Sequence, residues 1–322
     1  MSRAYVPGLT DPRLRTAPAM TAPTPFAVKR RALRHLVTNL LMRGLIGFSL
    51  LLPYRLRVRM FGWVVSRVIA PLVGWDRRVR ENLALVWPDL PEADVARICR
   101  EVPDNVGRTV IEIYSGKEFI ERATRLPLSG PGLAALDEAH KANRPVILVT
   151  GHFGNYDALR GGLSARGYPV GALYKEMSNK RFNAHYEAAI GQIAQPVFPR
   201  GPRGLAAMVR FLRGGGMLGM LVDVSMSHGV PLDFFGTEAM TALSAAELAL
   251  KYDALLIPAY SIRQPDGFDF EIRIEEPVPV GTPEEMTQAL NDSLEALVRQ
   301  YPGQWFWIHR RWKTNHRPEA AS

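Results

Sequence analysis

From residue 144 onward, short apolar runs alternate with segments of helical spacing, and this alternation constrains the fold more than any other feature. Strand, helix and strand in series favour an α/β class with a mostly parallel central sheet flanked by helices. The predicted strands are residues 146–149, 170–173, 217–222 and 255–262, and the predicted helices are residues 158–166, 180–193, 205–213 and 242–252. Residues 268–274 alternate apolar and polar side chains, which predicts an edge strand with one face in water.

Upstream of this unit the pattern is helical. Residues 81–87 and 92–101 have helical spacing, and Pro88, Pro91 and Pro103 are expected to punctuate them. Residues 1–26 are rich in Pro, Ala and Thr and lack the apolar centre of a signal peptide, which predicts a flexible tail. We therefore divide the chain into the tail, basic apolar helices over residues 27–75 and an α/β domain over residues 76–322.

Basic charge is concentrated near the N-terminus. The chain has a formal charge of +9, which favours an anionic partner such as a membrane surface, a phosphorylated ligand or nucleic acid. Residues 29–80 hold twelve of the basic residues and a single acid, Asp76. The apolar run 36–52 lies at the short limit for a spanning helix and includes Asn39 and Arg43. It is therefore interpreted as a helix lying in the lipid headgroup layer, and the alternative is a basic helix packed on the protein's own core.

A histidine and a carboxylate follow the first predicted strand of the α/β unit. The sequence there is Gly151-His152-Phe153-Gly154-Asn155-Tyr156-Asp157. A turn at the glycines would leave His152 on a loop and Asp157 in the first turn of the next helix. There Asp157 is expected to bond one imidazole nitrogen while the other acts as a general base. The same pair is equally compatible with a purely structural hydrogen bond.

No nucleophile accompanies this pair. There is no G-x-S-x-G elbow, and the single cysteine, Cys99, lies in a helical pattern far upstream and also rules out an internal disulfide. The attacking oxygen would then belong to a substrate hydroxyl, as in acyl transfer from a thioester to an alcohol. No third ligand with suitable spacing supports a metal site, so neither metal nor cofactor is predicted.

Further candidate residues follow later predicted strands. Cations recur at two successive strand-to-helix junctions, where phosphate oxygens are the expected ligands. Phe235 and Gly236 are expected either to line an acyl-chain channel or to anchor a hydrophobic loop. The C-terminal stretch 304–313 interleaves aromatic and basic residues, which favours a membrane interface or packing over nucleic-acid binding. The cations are Lys175, Lys180 and Arg181 at the first junction and Arg200 and Arg203 at the second.

Taken together, these motifs resemble the bacterial lipid A biosynthesis acyltransferases, the late acyltransferases related to lysophospholipid acyltransferases. The likeness runs over residues 77–313. Its anchors are the 151–157 motif, Tyr174-Lys175, Phe235-Gly236 with Ala239 and Thr241, and the stretch 307–313 that contains Arg310. Asp157 stands where lipid A enzymes usually have Glu, and Lys175 stands where arginine is common.

The resemblance implies an enzyme at the cytoplasmic face of the bacterial inner membrane. It would transfer an acyl chain from acyl carrier protein, or from coenzyme A, to a hydroxyl of a lipid A precursor, with His152 as base and Asp157 as its partner. Carried over by position, Lys175 and Arg200 would contact phosphate or the developing charge, and Asp223 would support the site. The further residues expected to contact substrate are Asn155, Arg181, Arg203, Asp223, Phe235, Gly236 and Arg310. A lyso-aminolipid or lysophospholipid acceptor remains open, as do a non-catalytic lipid-binding protein and a hydrolase. The oligomeric state stays undetermined.

Overall fold

The computed structural model describes residues 25–312, with side chains at residue 33 and at residues 35–312. These residues form a seven-stranded sheet covered by helices and a separate two-stranded hairpin. The sheet order is β1-β9-β8-β2-β5-β3-β4, and β6 pairs with β7. The strands are β1 Leu128–Ser129, β2 Val146–Thr150, β3 Val170–Tyr174, β4 Val197–Pro199, β5 Met217–Leu221, β6 Val230–Phe234, β7 Thr237–Thr241, β8 Leu255–Arg263 and β9 Phe270–Ile274.

Helices surround this sheet and precede it in the chain. They are α1 Pro25–Leu50, α2 Tyr54–Val64, α3 Ala70–Val73, α4 Trp75–Val86, α5 Glu92–Ile113, α6 Lys117–Ala123, α7 Leu133–Lys141, α8 Tyr156–Ser164, α9 Lys180–Ile193, α10 Pro202–Arg213, α11 Ser244–Tyr252 and α12 Pro283–Gln300. A π-helical turn, Val65–Ile69, joins α2 to α3, and a 3₁₀ turn, Pro302–Gln304, follows α12. The predicted alternation of strands and helices from residue 144 onward is confirmed.

The parallel centre of the sheet sets the position of the site. β2 pairs in parallel with both β5 and β8, and every residue of β2 is buried. Thr150 lies opposite Leu221 in this register, so the segments that leave β2 and β5 emerge side by side at their carboxyl ends. Functional residues of open α/β sheets collect at such a place.

The prediction of an edge strand over residues 268–274 is wrong. β9 lies between β8, to which it is antiparallel, and β1, to which it is parallel. The short strand β1 forms the edge. The pairing of β9 with a strand formed more than a hundred residues earlier in the chain is non-local, and an alternating pattern cannot report it.

The helix predicted over residues 92–101 does not stop before Pro103. α5 continues through this proline to Ile113, and both Val102 and Pro103 are buried. Packing against α2 and the neighbouring elements therefore overrides the local cost of proline. This matters for the site, because the second half of α5 contacts the segment that follows β2.

The N-terminal helices leave apolar side chains exposed. Leu40, Leu41, Phe48, Leu51 and Leu72 are each at least 60 % exposed, whereas Tyr54, Val58 and Phe61 of α2 are buried. Among the described helices none is long and apolar enough to cross a membrane. The predicted tail lies outside the described residues up to residue 24, as do the side chains of Lys29, Arg30, Arg31 and Arg34 and all of Lys313.

Candidate active site

A strand, a tight turn and a helix place His152. β2 ends at Thr150, and α8 begins at Tyr156 with Asn155 as its N-cap, whose side chain accepts a hydrogen bond from the backbone N–H of Asp157 at 3.1 Å. Gly154 has φ +53°, and a Cβ there would lie 1.9 Å from the carbonyl oxygen of Ser261. Only glycine fits this close approach to β8. The turn leaves the His152 side chain partly exposed at the carboxyl end of the sheet.

Asp223 holds the imidazole of His152. Asp223 follows β5, the strand beside β2, and its Oδ1 lies 2.8 Å from Nδ1 of His152. Its Oδ2 accepts hydrogen bonds from the backbone N–H of His152 at 2.7 Å and from Nε1 of Trp305 at 2.9 Å. An ionised carboxylate can only accept, so Nδ1 carries the proton and Nε2 is left with a free lone pair. We call these two residues the His152–Asp223 pair.

The charge of Asp223 is secured by its surroundings. The carboxylate is buried, with the residue 1 % exposed. Burial acts to raise the pKa of Asp223, but the charge of His152 and the hydrogen bonds from it outweigh burial and hold this pKa well below its usual range. Asp223 is therefore an anion at neutral pH, suited to orient an imidazole and to stabilise the imidazolium that a base becomes.

The expected contact between His152 and Asp157 is wrong. Asp157 is buried, and its Oδ1 accepts from Nε and Nη2 of Arg160 at 3.0 and 2.7 Å. Arg160 also donates to the carbonyl oxygens of Ile190 and Ala194, at the end of α9. In the first turn of α8, Asp157 faces its i+3 neighbour on the helix, which ties α8 to α9. The catalytic role predicted for Asp157 has no contact with the imidazole to support it and stays a prediction.

Asn155 supports the turn from inside the protein. It is fully buried, and its Nδ2 donates to Oε2 of Glu112 at 2.9 Å. Glu112 is itself buried in a two-pronged ion pair with Arg263 of β8. Thr109, one helical turn before Glu112 in α5, donates to the carbonyl oxygen of Gly154 at 3.0 Å. The substrate contact expected of Asn155 is thus replaced by a supporting one, through a network that sequence spacing does not reveal.

A largely apolar cavity of about 350 Å³ opens beside His152. It is bounded by α1, α5, α9 and the C-terminal segment. Its apolar wall includes Met42, Val102, Val106, Val110, Ile113 and Phe182, and its polar or aromatic wall includes Asn105, Thr109, Tyr114, Tyr156, Tyr186, Gln304 and His309. An elongated hydrocarbon group suits such walls. Among the described residues that line it there is neither a serine nor a cysteine.

His309 is a site residue that the sequence prediction missed in favour of its neighbour. Its ring centroid lies 4.5 Å from that of His152, with an angle of 76° between the planes. Burial, with the charges of His152 and Arg311 acting in the same direction, lowers the pKa of His309 to about 4, although Asp223 acts to raise it. Arg310, the predicted residue, is exposed and does not line the cavity.

Inward-facing residues alternate along the C-terminal segment, and this period of two could have identified His309 as a site residue. Trp305, Trp307 and Arg311 are all at most 1 % exposed, so alternate residues of this segment turn inward. His309 lies between Trp307 and Arg311 in that series. The three tryptophans of the segment, including Trp312, pack in one aromatic cluster with Phe234. The segment is therefore core packing, one of the two interpretations predicted for it.

The predicted phosphate-binding cations lie at the expected strand ends but outside the cavity. Lys175 follows β3, Arg200 follows β4, and these two strands are parallel neighbours. The side chains of Lys175, Arg181, Arg200 and Arg203 are exposed, and none lines the cavity beside His152. Their phosphate contacts stay predictions.

Phe235 and Gly236 form the turn of the β6–β7 hairpin. Both have positive φ, 62° and 70°, which is the geometry of a two-residue hairpin turn. Phe235 is buried against Trp87 and Trp307 and does not line the cavity. Of the two expectations for this pair, the structure has the hydrophobic anchor rather than the acyl-chain channel.

The chain is similar in sequence to known bacterial acyltransferases. The family model for bacterial lipid A biosynthesis acyltransferases matches residues 24–314. Phosphatidylinositol mannoside acyltransferase of Mycolicibacterium smegmatis is 25 % identical over 74 % of this chain and 80 % of its own length. A lipid A biosynthesis acyltransferase of Haemophilus influenzae is 23 % identical over 82 % of this chain and 84 % of its own. Lipid A biosynthesis lauroyltransferase of Escherichia coli is 23 % identical, over 86 % and 91 % respectively.

Proposed function

Because this chain belongs to the bacterial lipid A biosynthesis acyltransferase family and is an acyltransferase, we propose that it transfers a fatty acyl chain from a thioester to a lipid hydroxyl, with His152 as general base. The observation that carries the proposal is the His152–Asp223 pair at the mouth of an apolar cavity without a serine or cysteine in its described lining. A base without its own nucleophile is suited to activating a hydroxyl that the acceptor brings.

In the proposed reaction the acceptor oxygen attacks the thioester carbonyl carbon while its proton passes to Nε2 of His152. Asp223 keeps Nδ1 protonated and stabilises the imidazolium that forms. When the tetrahedral intermediate collapses, the carbon–sulfur bond breaks and the proton on Nε2 returns to the leaving thiolate. The thioester supplies the driving force, so the proposed step needs neither a metal nor a cofactor, and no covalent acyl-enzyme forms.

The donor is proposed to be acyl carrier protein, or coenzyme A, and the acyl chain to lie along the apolar wall of the cavity. For the acceptor, the names of relatives include both lipid A and a phosphatidylinositol mannoside. We therefore propose a lipid A precursor first, and a lyso-aminolipid or lysophospholipid as the alternative.

Membrane association is proposed from the N-terminal helices. Exposed Leu40, Leu41, Phe48 and Leu51 share this region with the exposed basic side chains of Arg43, Arg55 and Arg59. Apolar side chains that enter the interface, beside cations near anionic lipid phosphates, are typical of helices lying on a membrane. We place the enzyme on the cytoplasmic face of the inner membrane, where thioester donors are made.

The test uses purified protein, a radiolabelled acyl thioester and two acceptor preparations: membrane lipids whose ester-linked chains have been removed by mild alkali, and lysolipids that keep one ester-linked chain. Wild-type protein should form labelled lipid in step with release of free thiol, and His152→Ala should form none. Full transfer by His152→Ala would refute the proposed base. Lipid binding without any turnover would favour the non-catalytic alternative, and release of free fatty acid without an acceptor would favour a hydrolase.

A further inference from the structure

His309 carries a buried hydrogen-bonding atom that no residue of the described chain uses. Nε2 of His309 is shielded from water and has no hydrogen-bond partner among residues 25–312. The same side chain lines the cavity that contains His152. Buried polar atoms are normally satisfied, so an unpaired one beside a reaction centre points to a group that arrives with the substrate.

The position of His309 relative to His152 is fixed by the backbone. Trp305 forms a β-bridge with Phe153, and the N–H of Phe306 donates to the carbonyl oxygen of His152 at 3.0 Å. Nδ2 of Asn82 donates to the carbonyl oxygen of His309 at 2.9 Å. The segment that carries His309 is therefore paired with the turn that carries the base, and the two rings are held at a set separation.

The surroundings of His309 keep it neutral. The charged or titratable groups that act on it are His152, Asp223 and Arg311, and Arg311 is itself fully buried. Burial favours the uncharged ring, as do the charge of Arg311 and that of His152 when it is protonated, and the pKa of His309 is about 4. A neutral imidazole has one N–H donor that it does not readily give up, which suits donation of a hydrogen bond rather than proton transfer.

We propose that His309 is a second catalytic residue, whose Nε2–H donates a hydrogen bond to the thioester carbonyl oxygen as negative charge develops there. This inference rests on the proposed acyl transfer. The acceptor oxygen bonds to the carbonyl carbon, its proton goes to Nε2 of His152, and the carbonyl electron pair moves onto oxygen. On collapse the pair returns, the carbon–sulfur bond breaks, and His309 keeps its proton throughout. An oxyanion needs such a donor, and the exposed cations Lys175 and Arg200 do not line the cavity.

Substitution of His309 by glutamine, asparagine or leucine distinguishes the loss of a donor at the position of Nε2 from a change in side-chain packing. The amide nitrogen of glutamine reaches the place of Nε2, the amide nitrogen of asparagine reaches only that of Nδ1, and leucine has no donor. Transfer is measured with a radiolabelled acyl thioester and both acceptor preparations, alkali-deacylated lipids and lysolipids, and folding is checked by near-UV circular dichroism and the melting temperature.

We expect His309→Leu and His309→Asn to lower kcat about 100-fold to 1,000-fold, the usual effect of losing one oxyanion donor, with KM for the acceptor little changed. His309→Gln should stay within about tenfold of wild type. Equal kcat in wild type and His309→Leu would overturn the inference, as would a folded His309→Gln that is as slow as His309→Leu. In either case, transfer by wild type that is lost in His152→Ala would still support the proposed function. No transfer by wild type would refute the proposed function and this inference together.

Discussion

Replacing Asp223 by asparagine should nearly abolish turnover. The amide preserves the shape of the carboxylate but not its charge, and it can present a donor to Nδ1 of His152 in place of an acceptor. The imidazole would then take the wrong tautomer, with the proton on the nitrogen that must accept the proton of the acceptor hydroxyl.

The size of the effect follows from the geometry. Nδ1 and Oδ1 are 2.8 Å apart. With charge centres roughly 3 to 4 Å apart and an effective dielectric constant of about 20, the Coulomb stabilisation of an imidazolium by Asp223 is about 4 to 6 kcal/mol. Removal of that stabilisation from the transition state corresponds to a loss in kcat of about 10³-fold to 10⁴-fold.

The assay compares kcat of Asp223→Asn and Asp157→Asn in the same thioester-to-lipid reaction, each normalised to the fraction of folded protein. Asp157→Asn is the matched control, because Asp157 is buried near His152 but bonds Arg160. It should lower the melting temperature and reduce kcat only a few-fold. A loss of turnover in Asp157→Asn with near-normal turnover in Asp223→Asn would refute the assignment of Asp223.

Three further predictions concern stability. The pKa of His309 is about 4 in the folded protein and near 6.5 in the unfolded chain, so acid protonates the unfolded chain first. Stability is therefore lost as pH falls from 6.5 towards 4. In urea titrations between pH 7 and pH 5, the free energy of unfolding should fall by about 2 kcal/mol more in wild type than in His309→Gln. Glu112→Gln leaves Arg263 buried without its counter-ion and should cost about 3–5 kcal/mol in the free energy of unfolding. Gly154→Ala should cost about 2–5 kcal/mol, from left-handed backbone strain and a clash with β8, against about 1–2 for Gly236→Ala, where the strain stands alone.

Controls for these predictions lie on the surface. Glu121→Gln breaks the exposed pair with Lys117 and should change the free energy of unfolding by less than about 1 kcal/mol. Equal losses for Glu112→Gln and Glu121→Gln would contradict the role given to the buried pair. Parallel pH curves for wild type and His309→Gln would show that His309 is not held neutral by the fold, and equal melting of the two glycine variants would show that the turn tolerates a side chain at residue 154.

The local parts of the fold were predictable because they depend on local pattern. Apolar runs of strand length and helical spacing predict β2, β3, β5 and β8 and the helices between them, since each run reports its own burial. The placement of His152 at the end of a buried strand was predictable for the same reason. The passage of α5 through Pro103 was not, because packing of a long helix against α2 decides it.

The partner of His152 depends on strand order rather than on distance along the chain. Asp157 is five residues from His152 and therefore the natural choice from sequence, whereas Asp223 is 71 residues away and meets the imidazole only because β5 pairs with β2. The same holds for Glu112 and Arg263, which come together from α5 and β8. Arg200, by contrast, was predicted as a substrate contact from its place after a strand. It is exposed there, and its contact with substrate stays a prediction.

The most direct test of the account is the lipid composition of cells that lack this protein, compared by mass spectrometry with the same cells given wild type or His152→Ala. We expect one lipid class to be missing a single acyl chain in the deficient cells, to regain it with wild type and not to regain it with His152→Ala. The mass difference would identify both the acceptor and the chain. Unchanged lipids in the deficient cells, or full restoration by His152→Ala, would contradict acyl transfer by this site.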